Sequence, residues 1–142
     1  MKTNATQTKE LTGQELLQTM YGYFQRGEIN HLLEHLSPNC EWQDFTPVIA
    51  TRGLRRGPQA IGEWFAALNH EAHFENFQPR TYLNQGNSWV VLGSYKATIR
   101  QTGRTLDATF VHVFTLQGDK VKSWRGYGEA DKLIEAYMPH HN

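Results

Sequence analysis

The chain has 142 residues, enough for one ordinary domain and too few for two. Fourteen Lys and Arg balance fourteen Asp and Glu. This zero net charge, with no long basic run, argues against a nucleic-acid or membrane-surface partner held by charge. The single cysteine, Cys40, rules out an intrachain disulfide and a Cys-based metal cluster, and fits a reducing, cytoplasmic compartment.

No apolar run approaches membrane-spanning length. Residues 1–10 are polar and Thr-rich and read as a frayed tail, not as a signal peptide. One domain is expected over 11–138, with a short tail at 139–142. Thr12-Gly13-Gln14-Glu15 is a capping box that opens a helix running to about Arg26, with Gly27 ending it. Leu17, Met20, Tyr21 and Phe24 form its apolar stripe. A second helix is expected over Glu28–Leu36, stopped by Ser37-Pro38-Asn39.

Cys40 to Phe45 reads as a strand. Its period of two puts Asp44 on the same face as Trp42. A carboxylate beside a Trp on a core-facing surface is costly without compensation, and such desolvated acids suit proton transfer. Asp44 is either a general base in an aromatic pocket or a strand-end carboxylate bonded to backbone amides or to the following loop. That loop, residues 47–56, carries Arg52, Arg55 and Arg56, which either guard a pocket mouth or are simply solvated.

Gly57-Pro58 opens a third helix, in which Ile61, Trp64, Phe65 and Leu68 share one face. The pattern then turns to period two, with strands expected at 72–83, 88–101, 104–116 and 121–128 and a last helix at Ala130–Tyr137. In the 88–101 strand the odd positions from Trp89 to Ile99 face inward. In the next strand the even positions do so, and His112 is the one ionisable residue among Ala108, Phe110, Phe114 and Leu116. His112 is either a donor to a developing oxyanion, an orienting partner for Asp44, or a core histidine. The opposite face carries Thr109, Val111, Val113 and Thr115, which suits a sheet-to-sheet homodimer.

Seventeen aromatics are more than a core of this size needs. Met20, Tyr21, Phe24, Trp42, Trp64, Phe65, Trp89, Phe110, Phe114 and Trp124 are the candidates to line a pocket for a small apolar or aromatic ligand; they are equally able to fill a core. Gly126 and Gly128 share the inner face with Trp124 and leave room there. His31 and His35 have a metal-capable i, i+4 spacing, but no third ligand accompanies them and no metal or cofactor is expected. Helices followed by an antiparallel meander make an α+β domain with helices packed on one face of a curved sheet.

Four segments carry a resemblance: Tyr23-Phe24-Gln25-Arg26-Gly27-Glu28-Ile29; Arg56 to Ile61 leading to Trp64-Phe65; Val111 to Leu116; and Gly118-Asp119-Lys120-Val121 followed by Trp124 to Tyr127. In this order they resemble the nuclear-transport-factor-2-like superfamily, which includes ketosteroid isomerases, SnoaL-like polyketide cyclases and limonene-epoxide hydrolases. The resemblance covers about Glu15 to Tyr137. It implies a cone: a strongly bent, mixed sheet wrapped by three N-terminal helices and a short C-terminal one, with a pocket at the open end. It places Asp44 at the isomerases' base position and His112 at their second acid. Their oxyanion-hole Tyr falls on Met20, one residue from Tyr21, so that hole is not intact as such. An epoxide-hydrolase acid falls on Gly126. The expected activity is isomerisation or cyclisation by proton transfer on an apolar carbonyl compound. A non-catalytic ligand-binding or dimerisation module is the alternative.

Overall fold

The computed structural model of the chain describes residues 12–139; the expected N-terminal tail and His140–His141 lie outside the described residues. Helix α1 (Gly13–Gln25) begins as expected. The Thr12 hydroxyl accepts the Glu15 N–H at 3.1 Å and the Glu15 carboxylate accepts the Thr12 N–H at 2.9 Å. Gly27 ends it at φ 74°, with the Glu28 N–H donating to Tyr23 O at 2.8 Å and the Gly27 N–H to Phe24 O at 3.1 Å. Both bonds of a glycine-terminated helix are therefore made.

Helix α2 covers only Ile29–Leu33, shorter than expected. Two forces end it early. Pro38 disfavours helical backbone before it, and Leu36 already pairs with Val121 in the sheet. Strand β1 (Leu36–Asp44) therefore starts inside the segment expected to be helix and turn. Strand β2 (Gly53–Arg56) was expected to be loop. It is too short to show a period, and it exists because it pairs with β1 along Glu41 to Asp44. Helix α3 (Gly57–Glu71), strands β3 (Ala72–Gln85), β4 (Ser88–Ile99), β5 (Thr105–Gln117) and β6 (Lys120–Gly128), and helix α4 (Ala130–Tyr137) follow.

The six strands form one open sheet in the order β2-β1-β6-β5-β4-β3. The β1–β6 pair is parallel and the others are antiparallel. Register shifts at Phe74/Asn76 and Pro79/Thr81 in β3, within β1 and at Thr115/Leu116 bend the sheet. Pro79 is tolerated because β3 is an edge strand. The concave face is covered by the helices in two packed clusters. The larger holds Leu17, Ile61, Trp64, Val91 and Val121; the smaller, built on Ala72, Ala97, Ala108 and Leu133, lies under α4. Among the described residues no helix is long and apolar enough to cross a membrane.

Candidate functional site

The two clusters do not close on each other. A cavity of about 140 Å³ runs between them, close to the roughly 150 Å³ that an engineered apolar cavity needs to hold benzene. Its walls come from every layer of the fold: Met20, Tyr21 and Phe24 of α1, Trp42 and Asp44 of β1, Trp64 and Phe65 of α3, Phe110, His112 and Phe114 of β5, and Trp124 of β6. Trp89 is the exception among the sequence candidates. It does not line the cavity; its indole packs against α1, where a Cβ on Gly13 would come within 2.6 Å of Trp89 Nε1. The inward alternation holds at Trp89, but that end of β4 meets the start of α1 before the cavity begins.

Asp44 and His112 reach the cavity through one lateral row of the sheet. Asp44 pairs with Gly126, and Gly126 pairs with His112. Two strand spacings separate them, about 10 Å between Cα atoms, so they are not a hydrogen-bonded dyad. Gly126 explains what lies between. A Cβ there would collide with the Trp124 ring, so the missing side chain lets that indole lie flat over the row. Trp124 stacks on Trp42, with centroids 4.5 Å apart, and stands edge-on to His112 at 5.0 Å.

Asp44 is 5 % exposed, and both of its oxygens are engaged. Oδ1 accepts the Thr46 N–H at 2.8 Å, and Oδ2 accepts Trp64 Nε1–H at 3.3 Å. Trp64 also donates to Thr51 O at 3.0 Å, so α3 clamps the strand end. The three loop arginines are elsewhere. Arg55 ties its own loop together by donating to Thr51 O and Arg52 O, Arg56 pairs with Glu41 at 3.1 Å, and none of the three lines the cavity. His31 and His35 stack on Tyr23.

His112 is held from the side that the one-residue offset in α1 had made doubtful. The Tyr21 hydroxyl lies 2.6 Å from His112 Nδ1 with the rings stacked at 12°, and Met20 and Tyr21 both line the cavity. The α1 stripe is wide enough to present two successive residues. Burial lowers the His112 pKa to about 3 and pushes that of Tyr21 well up, with Tyr82 adding to it, so both are neutral. The two groups satisfy each other, and with the Tyr21 hydroxyl as donor the ring proton sits on Nε2. His112 is enclosed by protein yet keeps accessible surface, and its Nε2 is neither bonded nor sealed off. Nε2 thus has access to the cavity that His112 lines. Trp42 Nε1 is different: it is buried without an acceptor and without contact to the open space.

Four further lining residues carried no signal in the sequence: Phe77, which stacks on His112 at 6.2 Å, and Phe74, Glu71 and Tyr137 at the far end. The β3 register shift takes the two Phe residues out of simple alternation, and the last residue of a helix, Glu71, carries no pattern at all. Tyr137 from α4 donates to Glu71 Oε1 at 2.8 Å. Tyr95, one of the inward-facing odd positions of β4, stands at this end as well; burial, with Glu129 and Asp44 adding, pushes its pKa up to about 12.

No curated protein matches the chain in sequence. Solved structures do match its fold. A nuclear-transport-factor-2-like protein of Burkholderia xenovorans LB400 is 22 % identical, with 87 % of this chain and 93 % of that one covered and a TM-score of 0.77. One of unknown function from Burkholderia pseudomallei K96243 is 19 % identical over 87 % and 95 %, with a TM-score of 0.79. The structure of TerC co-crystallised with polyporic acid is 23 % identical over 86 % and 95 %, with a TM-score of 0.78. These likenesses show the open, mixed-sheet cone expected from the sequence. The SnoaL-like domain matches residues 17–124, and the chain therefore belongs to the SnoaL-like family, in the nuclear-transport-factor-2-like superfamily.

Proposed function

We propose that the protein is an isomerase or cyclase acting by proton transfer on a small, flat, apolar carbonyl compound. Asp44 takes the proton next to the carbonyl, and the electron pair moves onto the carbonyl oxygen. The neutral His112 Nε2–H donates to that oxygen as charge builds on it. Asp44 then returns the proton to another carbon, or the enolate carbon attacks a second carbonyl in the same molecule and Asp44 returns the proton to the alkoxide so formed. The aromatic walls exclude water and hold the ring system.

One observation carries this reading. The Tyr21–His112 pair, hydrogen-bonded at 2.6 Å, lines the same apolar cavity as Asp44, the buried carboxylate of the first strand. Donation by Tyr21 to Nδ1 withdraws electron density from the ring and strengthens Nε2–H as a donor. That TerC was crystallised with polyporic acid supports a small organic ligand in a cone of this kind. The test is deuterium exchange next to the carbonyl of a bound aryl ketone. Asp44→Asn should slow it by about 10²–10⁴ while leaving ketone binding in place; unchanged exchange would exclude Asp44 as the base.

A second reading, a non-catalytic binding module, is favoured by the two bonds that Asp44 already accepts. On that reading Asp44→Asn lowers stability and no exchange is seen in either form. We further propose a homodimer through the outer sheet face, in a reducing cytoplasmic compartment. Leu92, Val111 and Tyr127 lie in one row there, each 36–39 % exposed, and Phe45 stacks on Tyr127. Sedimentation should give a dimer that Val111→Asp dissociates; a monomeric wild type would overturn this.

A further inference from the structure

The charge of the cavity wall is one-sided. Among the described residues two carboxylates, Asp44 and Glu71, line it and no Lys or Arg does. The Arg100 guanidinium, on the residue whose N–H donates to Glu71 O, is turned to Asn69 O. Asp44 has a donor on each oxygen. Glu71 is less complete: Oε1 accepts Tyr137, while Oε2 has only the exposed His70 ring, 3.6 Å away and beyond hydrogen-bond reach. Around it stand aromatic faces, with Phe74 edge-on to Tyr95 at 5.4 Å and Tyr137 bonded to the carboxylate itself. Ala72 and Ala97 leave the space between them open.

A carboxylate with one oxygen short of a hydrogen-bond donor, on the wall of an aromatic-lined cavity, is the chemistry that recognises an organic ammonium group. Two carboxylates without a compensating cation repel an acid. Asp44 and Glu71 both act on the Tyr137 hydroxyl, whose pKa is raised first by burial and then by Glu71, with a smaller contribution from Asp44. Both charges are therefore felt at one end of the cavity.

We propose that the otherwise apolar ligand carries a protonated amine, seated beside the Glu71 carboxylate and the rings of Phe74, Tyr95 and Tyr137, at the end of the cavity away from His112. This names a ligand class for the proposed site and shares its cavity, but it rests on Glu71 and not on Asp44 chemistry.

The test is binding of benzylammonium, benzyl alcohol and benzoate at neutral pH, read by the fluorescence of the cavity-lining tryptophans. Wild type should bind the ammonium about tenfold more tightly than the alcohol, with benzoate weakest. Glu71→Gln should remove the preference and keep alcohol binding. Tyr137→Phe, which keeps the charge, should retain the preference, so a folding defect in one variant does not decide the outcome. Equal affinity for ammonium and alcohol in wild type, or a preference that survives Glu71→Gln, would overturn the proposal. The two readings fail separately. Loss of the amine preference leaves ketone exchange by Asp44 untouched, and absent exchange leaves the amine preference untouched.

Discussion

His112 makes stability depend on acid in a way that can be isolated. In the unfolded chain its imidazole titrates near the ordinary 6.5; in the folded protein burial holds it at about 3. Between these values the unfolded state binds a proton that the native state refuses, so stability falls as the pH drops through 6.5 and this loss is complete near 3. At about 1.4 kcal/mol per pH unit, the difference between 6.5 and about 3 amounts to roughly 5 kcal/mol, about half the stability of a typical domain. Two pH units of that window, from 6.5 to 4.5, cost about 3 kcal/mol. The comparison variant is His112→Gln, which does not titrate and still offers Tyr21 an acceptor. Urea unfolding at pH 7.5 and pH 4.5 gives the loss for each protein. Carboxylates and exposed histidines contribute equally to both, so wild type should lose about 3 kcal/mol more than the variant. Equal losses would refute the argument and show that the imidazole is not held neutral by burial.

Removing the Tyr21 hydroxyl by Tyr21→Phe strands the His112 Nδ1 acceptor among rings and should cost about 1–3 kcal/mol, seen as a lower urea midpoint; a neutral result would mean that the 2.6 Å contact carries no bond. Gly126→Ala drives a methyl group into the Trp124 ring and should destabilise by about 1–3 kcal/mol, with a change in tryptophan fluorescence as the stack on Trp42 is disturbed; near-UV circular dichroism and thermal unfolding check both. Trp64→Phe removes one donor from Asp44 and leaves Thr51 O with less company; a loss of about 1–3 kcal/mol is expected, and an unchanged melting temperature would contradict the clamp.

The elements that were legible in the sequence are those with a local signal. The Thr12–Glu15 box, the glycine at 27 and the long alternating runs of β4 and β5 carry their structure within a few residues. Strand β2 and the early start of β1 do not. Each exists only because a distant strand pairs with it, and pairing leaves no mark in a four-residue window. The site divides in the same way. Asp44 and His112 stood out as ionisable residues on apolar stripes. The bond that fixes His112 did not, because it joins positions 91 residues apart. Glu71 is invisible for a different reason: a carboxylate at a helix end is ordinary until α4 brings Tyr137 onto it. Trp89 shows the converse, an inward-facing residue whose strand end packs on a helix and not on a cavity.

Proton transfer in this cavity requires His112 Nε2–H and Asp44 to serve one ligand. A crystal structure of the protein with phenol, a stable mimic of an enolate, tests this most directly. The phenol oxygen should lie about 3 Å from His112 Nε2, with the ring over Trp124 and its edge toward the Asp44 carboxylate. A phenol oxygen bonded elsewhere in the cavity, with Nε2 left without a partner, would contradict it.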